Sequence, residues 1–140
     1  MKSMNIEVTI GIDRVRNLLC CAFEGGSNYW YVIVDRRYPP GFDAADYREG
    51  GKAQPPDDYW HWSQILPLQD GGSLVIGTKD DDEIDGSKQW TLDAQAIARG
   101  LVTMAEKYPR HYGSVLADNE DAETGDVFLQ CCLFGKLVFG

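Results

Sequence analysis

The chain changes its hydrophobic period within its first 35 residues. Helical spacing joins a first apolar set, which is Val15, Leu18, Leu19, Ala22 and Phe23. Asp13 is a suitable N-cap for this helix, and Gly25-Gly26 predicts its end, because glycine readily takes the left-handed conformation of a C-terminal cap. Residues 29–34 then form an unbroken run of aromatic and β-branched side chains, which predicts a central strand.

The patterns before and after this unit are less regular. Residues 5–10 alternate weakly between apolar and polar side chains, which leaves a short strand and an irregular lead-in open. Residues 36–59 carry four prolines and no sustained period, which predicts a long loop that is functional or mobile. Residues 59–62 open a second β region, and residues 63–68 predict a strand with Pro67 at an edge or a bulge. The turn signal Asp70-Gly71-Gly72 then predicts a hairpin that returns through residues 74–78.

A second helix is predicted after Thr91, which can serve as its N-cap. Its apolar residues lie at helical spacing and are Ile97, Leu101, Met104, Ala105 and Tyr108. Pro109 ends this helix. Residues 127–135 predict a third helix that ends at Gly135, although their composition leaves a strand open. Together the elements predict a single α+β domain in which a small, mostly antiparallel sheet packs on two or three helices.

Length and composition agree with one globular domain in a reducing compartment. A chain of 140 residues is long enough to bury a single core. Its four cysteines form the adjacent pairs Cys20-Cys21 and Cys131-Cys132, which is not the spacing of a disulfide framework or a zinc knuckle. No apolar run is long enough to span a bilayer, and the first residues lack the apolar core of a signal peptide. We therefore expect a cytoplasmic protein without a membrane partner.

The charge balance excludes one class of partner and indicates another. A net charge of −9 repels phosphate backbones, so we expect no direct binding of nucleic acid. The acidic residues form two patches, one with Asp80, Asp81, Asp82, Glu83 and Asp85, the other with Asp118, Glu120, Asp121, Glu123 and Asp126. These patches are candidate sites for a partner protein with a basic surface. The alternative is that they only keep the protein dissolved.

Aromatic and basic residues define a second candidate surface. Its members are Tyr29, Tyr31, Arg36, Arg37, Trp60, His61, Trp62 and Arg110. Strand alternation would place Trp60 and Trp62 on one face and His61 on the other, where the tryptophans could form a ligand platform or a partner hot spot. An aromatic ring and a guanidinium group could also hold a planar ligand such as a nucleotide between them. The alternative is that these rings belong to the core.

No motif in the sequence assigns a catalytic site, a metal or a cofactor. His61 and His111 are far apart and lack the spacing of zinc ligands or a catalytic triad. Residues 81–86 imitate the first half of a calcium-binding loop, but Leu92 stands where the closing glutamate belongs. We therefore predict no metal and no cofactor, and an enzymatic role ranks behind a binding role.

Two segments carry a resemblance to known proteins. Residues 24–31 (EGGSNYWY), residues 121–130 (DAETGDVFLQ) and the later pair Phe134-Gly135 resemble a group of short uncharacterised proteins from bacteriophages and prophages. The resemblance covers the first helix-strand unit and the last third of the chain, and residues 36–89 carry none of it. It implies a viral accessory protein in the cytoplasm of a bacterial host cell. Small acidic phage proteins are often inhibitors of host machinery, which implies a counter-defence role.

These observations support two hypotheses about function. The preferred one is a non-enzymatic interaction protein that binds a host protein through an acidic or aromatic surface. The second is a small-ligand binder, with a nucleotide signal as its ligand, that uses the aromatic rings and arginines named above. Self-association is compatible with both hypotheses.

Overall fold

The computed structural model describes residues 2–79 and 88–140. Its strands are β1 (Tyr31–Arg37), β2 (Ser73–Thr78) and β3 (Trp90–Leu92). Its α-helices are α1 (Ile12–Cys21), α2 (Ala94–Lys107), α3 (Pro109–Leu116) and α4 (Ala122–Phe134). Shorter helical turns lie at Ala22–Gly26, Ala44–Tyr47, Trp62–Gln64 and Leu66–Leu68. The helices and the antiparallel sheet confirm the predicted α+β fold, and none of the helices described is long and apolar enough to cross a membrane.

The sheet has the order β1-β2-β3, so β2 and not β1 is its central strand. β2 is buried through all four of its inner residues. In β1, Tyr31 and Ile33 pack against the core, whereas Val32 and Val34 are exposed. The prediction of a central strand at residues 29–34 was wrong, because an unbroken apolar run can also form an edge strand with one face in solvent.

Several features of β1 protect its free edge against further pairing. The register shifts between Ile33 and Asp35, which marks a β-bulge. The Asp35 carboxylate accepts a hydrogen bond from the backbone N–H of Arg36, with 2.9 Å between nitrogen and oxygen. Bulges and charged side chains discourage the addition of another strand. This edge is therefore a poor template for association with a second sheet.

The predicted hairpin around Gly71-Gly72 was also wrong. Residues 62–68 form two short 3-10 turns instead of a strand, and β2 pairs with β1 and β3. Pro67 is the second residue of the turn Leu66–Leu68, where its missing N–H leaves no hydrogen bond unmade. The β region predicted at residues 59–62 was also wrong, because the chain there enters the 3-10 turn Trp62–Gln64.

The segment predicted as a long loop begins as part of β1 and then packs inward. The turn Ala44–Tyr47 is capped by Asp43, whose carboxylate accepts a hydrogen bond from the backbone of that turn. The Tyr47 side chain is buried and contacts the rings of Tyr38 and Phe42, with centroid distances of 5.4 and 6.2 Å. The segment therefore adds side chains to the core.

The first helix is confirmed, but it does not end as predicted. It continues from α1 into a π-helical turn, Ala22–Gly26, and neither Gly25 nor Gly26 has a positive φ. A Cβ atom on Gly26 would lie 1.9 Å from the carbonyl oxygen of Ala122. Glycine is required there by the close approach of α4 and not by a left-handed cap.

The second predicted helix is confirmed as α2, with one correction at its N-terminus. Thr91 belongs to β3, and Asp93 is the N-cap, with its side chain accepting a hydrogen bond from the backbone N–H of Ala96. Pro109 follows the end of α2 and is also the first residue of α3, a position that proline favours. α3 was not predicted, because its eight residues include a proline and a glycine.

The alternatives left open for residues 127–135 are resolved in favour of a helix. α4 begins after the N-cap Asp121, and its C-cap is Gly135, which confirms the predicted end of the helix; the φ of Gly135 is 71°, in the left-handed region. Its residues 127–132 are all buried, because α4 packs against α1, α2, α3, β3 and the π-helical turn. The C-terminal half of α4 is therefore enclosed by other elements at the centre of the fold.

Glycines allow α4 to approach its neighbours closely, and this gives a test of the packing. A Cβ atom on Gly100 would lie 2.4 Å from the Cys132 sulfur, whereas one on Gly113 would meet no atom within 4 Å. We expect Gly100→Ala to lower the free energy of unfolding by about 3 kcal/mol through overpacking. The matched variant Gly113→Ala should raise it by about 0.5 kcal/mol through helix propensity. Urea denaturation measures both, and equal effects would contradict this packing.

Candidate functional site

Two tryptophans are each covered by an arginine at the start of the 3-10 turn Trp62–Gln64. The guanidinium carbon of Arg16 lies 3.9 Å from the centroid of the Trp60 ring. That of Arg36 lies 4.0 Å from the centroid of the Trp62 ring. We call Arg16, Arg36, Trp60 and Trp62 the tryptophan–arginine surface. Cation–π contacts of this kind are stabilised by the negative face of the ring.

Hydrogen bonds from two glutamines hold this part of the chain in place. The side-chain amide of Gln54 accepts from the backbone N–H of Trp60 at 2.9 Å and donates to the Trp60 carbonyl at 2.8 Å. The amide nitrogen of Gln64 donates to the backbone carbonyl of Arg16 in α1 at 3.2 Å. The tryptophans therefore stand on a braced turn and not on a free loop.

His61 lies between the two tryptophans, and its ring is 4.6 Å from the Trp62 ring. Its Nδ1 accepts a hydrogen bond from the backbone N–H of Ser63 at 3.3 Å, so the neutral ring carries its proton on Nε2. Burial lowers the pKa of His61 below its ordinary value of 6.5; the Arg36 charge lowers it further, and the Glu24 carboxylate opposes both. His61 therefore presents a neutral N–H donor at this surface.

The contact between His61 and Ser63 does not form a usable catalytic pair. The Ser63 hydroxyl oxygen lies 2.7 Å from Nδ1 of His61, which is within the range of a nucleophile and its base. Ser63 is only 1% exposed, so a substrate cannot reach the hydroxyl. The pair instead caps the 3-10 turn.

The other aromatic and basic candidates lie away from this surface or contribute to the fold. Tyr31 packs edge-on against Phe23 and donates its hydroxyl proton to the Phe23 carbonyl at 2.8 Å. Arg37, next to Arg36 in β1, pairs with Asp35 at 3.9 Å. Arg110 is exposed on α3, an element separate from the one that carries the tryptophans.

The acidic candidates in the second patch have partners within the chain. Asp118 pairs with Arg14 at 3.8 Å, and Glu123 approaches His111 at 3.9 Å. Asn17 donates a hydrogen bond to Glu120 at 2.8 Å. Asp121 caps α4, and the backbone hydrogen bond from Thr124 lowers the pKa of its carboxyl group. The first acidic patch, with Asp80, Asp81, Asp82, Glu83 and Asp85, lies outside the described residues.

The two segments that carry the resemblance meet at the Asp126 carboxylate on α4. Its Oδ1 accepts hydrogen bonds from the Ser27 hydroxyl at 2.8 Å and from the Trp30 indole N–H at 2.7 Å. Its Oδ2 accepts from the Tyr29 hydroxyl at 2.7 Å. Burial, this hydrogen bond and the Asp126 charge raise the pKa of Tyr29 to about 12. Tyr29 therefore stabilises the fold, and no spacing in the sequence connects it with Asp126.

The neighbouring Gln130 ties the C-terminal residues to the same place. Its side-chain oxygen accepts from the backbone N–H groups of Val138 and Phe139 at 2.7 and 2.9 Å. The Phe139 ring stacks on Trp30, with a centroid distance of 5.2 Å and an angle of 9° between planes. The residues of the resemblance thus form an internal junction between α4, the start of β1 and the chain end.

The tryptophan–arginine surface contains one residue that the sequence analysis did not name. This residue is Arg16 of α1, and nothing in local spacing connects it with Trp60. Within residues 2–79 and 88–140, no group of three or more histidine, cysteine, aspartate or glutamate side chains is placed to hold a metal ion. The chain matches no protein-family model, no curated protein and no solved structure. Its function is therefore inferred from geometry and from the sequence.

The Asp126 junction predicts a large loss of stability when the carboxylate is removed. Asp126→Ala leaves the buried hydroxyl of Ser27 and the buried indole of Trp30 without an acceptor, which should lower the free energy of unfolding by about 3 kcal/mol. Tyr29→Phe removes one hydrogen bond from a half-exposed residue and should cost about 1 kcal/mol or less. Urea denaturation compares them, and a cost for Asp126→Ala no larger than that for Tyr29→Phe would refute the junction.

The lowered pKa of His61 predicts a pH dependence of stability. Because the folded protein disfavours the charged ring, the contribution of His61 is complete above its ordinary pKa of 6.5 and is lost as the pH falls through the lower folded value. His61→Asn keeps an N-cap acceptor and should lose less stability between neutral and mildly acidic pH. Unfolding curves at both pH values measure this difference, and identical losses would show that His61 titrates normally.

Proposed function

We propose that this protein is a non-enzymatic accessory protein of phage or prophage origin. It binds a protein of the bacterial host through the tryptophan–arginine surface and thereby inhibits that protein. The origin and the inhibitory role rest on the resemblance of residues 24–31 and 121–130 to phage proteins. The binding mode rests on the geometry of the surface.

The observation that carries the binding mode is the pair of arginine–tryptophan stacks on a braced turn. Tryptophan and arginine are enriched among the residues that dominate protein–protein affinity. Gln54 and Gln64 hold the backbone of this turn through three hydrogen bonds. A surface that is ordered before binding loses less conformational entropy when the partner arrives.

The described acidic residues support a partner site less well than the tryptophan–arginine surface does. Asp118, Glu120 and Glu123 each contact a polar or basic group of the same chain. A partner would have to displace these contacts before it gained its own. Acidic residues outside the tryptophan–arginine surface still favour a basic partner protein, because opposite charges attract at long range.

A small planar ligand is the second hypothesis, and the stacking geometry argues against it. The guanidinium group of Arg36 already covers one face of the Trp62 ring. A nucleotide would have to displace Arg36 or stack on the guanidinium from outside. A panel of nucleotides tested by thermal denaturation separates the hypotheses, because a ligand that binds the folded state raises the melting temperature.

Neighbouring arginines of β1 provide a matched test of the proposed surface. Arg36→Ala removes the stack on Trp62, whereas Arg37→Ala removes an exposed side chain that pairs with Asp35. Host proteins captured by the wild-type protein are identified by mass spectrometry, and the main one is purified and titrated. We expect Arg36→Ala to weaken its binding about 10-fold and Trp62→Ala about 30-fold. Arg37→Ala should bind as the wild type does.

The same titrations can refute the proposal. Equal effects of Arg36→Ala and Arg37→Ala would remove the tryptophan–arginine surface from the interface. Far-ultraviolet circular dichroism of each variant checks that the fold is intact. Thermal stabilisation by one nucleotide, lost in Trp62→Ala, would favour the ligand hypothesis instead.

A further inference from the structure

A second surface lies between the residues that precede α1 and one face of α2. Ile6, Val8 and Ile10 line one wall of an apolar groove, and α2 supplies Leu101, Val102 and Ala105 to the other. Alternate residues on one wall indicate an extended backbone. We call residues 5–10 the arm.

Apolar side chains on both walls of this groove are exposed to solvent. Ile6 is 77% exposed, Val8 47% and Val102 of α2 58%. Single exposed apolar residues are ordinary, but a cluster of them is typical of an interaction surface. The arm and α2 therefore form one continuous apolar area that a further molecule can cover.

The backbone of the arm is available for pairing. No backbone hydrogen bond joins residues 2–10 to another residue within the described parts of the chain. An extended segment with unpaired N–H and C=O groups is a template for a second strand. The arm lacks the bulge and the carboxylate cap that protect β1.

The arm is complementary to itself in one antiparallel register. With Val8 opposite Val8, Ile6 stands opposite Ile10 and Glu7 opposite Thr9, so apolar residues share one face. Centring the pair on Glu7 would place two carboxylates opposite each other, which is unfavourable. Centring it on Thr9 would require Ile12, which already belongs to α1.

We infer that the arm is the docking surface for a second copy of this chain. Two arms pair as antiparallel strands about a two-fold axis at Val8, and the apolar faces of both α2 helices lie under the resulting ribbon. Such an interface is isologous, because each copy contributes the same patch. The net charge of −9 on each copy opposes association at long range, but within the arm this register places Glu7 opposite Thr9 and no acidic residue opposite another. The inference does not rest on the tryptophan–arginine surface.

Cysteine cross-linking tests both the dimer and its register. Residues directly opposite in an antiparallel pair have Cα atoms about 4.5 to 5.5 Å apart, which suits a disulfide. Val8→Cys should therefore form a covalent dimer under mild oxidation. Ile6→Cys should not, because the two positions lie about 13 Å apart in this register, but a mixture of Ile6→Cys and Ile10→Cys should cross-link. The wild-type protein controls for its four free cysteines.

Light scattering coupled to size exclusion gives the second readout. We expect a dimer for the wild type, and a monomer with an unchanged circular dichroism spectrum for Val8→Asp. A wild-type monomer across the concentrations used for cross-linking would overturn the inference. Cross-linking of Ile6→Cys as efficient as that of Val8→Cys would overturn the register and with it the proposed pairing.

Discussion

The close approach of α4 to the backbone of its neighbours is the constraint on which the rest of this fold depends. A Cβ atom on Gly125 would lie 2.6 Å from the backbone nitrogen of Ala22, and Gly26 and Gly100 leave equally little room. Because these contacts involve main-chain atoms, they fix α1 and α2 against α4. They also bring Ser27 and Trp30 to Asp126, and so set where β1 begins. Arg36, near the other end of that strand, then lies beside Trp62.

Elements with a strong local signal could be predicted from the sequence, and elements defined by distant contacts could not. The helical spacing of Val15, Leu18 and Leu19 identified α1, and Gly135 identified the end of α4. The strand order could not be predicted, because an apolar run does not distinguish an edge strand from a central one. Gly26 was correctly recognised as significant but for the wrong reason, since its constraint comes from Ala122, almost a hundred residues away.

The candidate site was also predictable only in part, because local sequence patterns do not report contacts between distant residues. Trp60, His61, Trp62 and Arg36 were named because aromatic and basic residues are uncommon enough to be noticed. The partner of Trp60 was missed because a stack between α1 and a distant turn leaves no trace in sequence spacing. The two segments that carry the resemblance were expected to indicate the biological context of the protein. In the structure they meet at Asp126, where their hydrogen bonds join α4 to the residues at the start of β1.

The unequal environments of the four tryptophans have a spectroscopic consequence. Trp30 is sealed between Phe139 and the Asp126 carboxylate, and Trp90 contacts the Phe134 ring. Trp60 and Trp62 lie near solvent, each with a cation against its indole. Emission from the buried Trp30 reports on the integrity of the core, while emission at longer wavelength comes from the three half-buried tryptophans, Trp60, Trp62 and Trp90. The protein thus contains intrinsic fluorophores in two places, the core and the tryptophan–arginine surface, without any label.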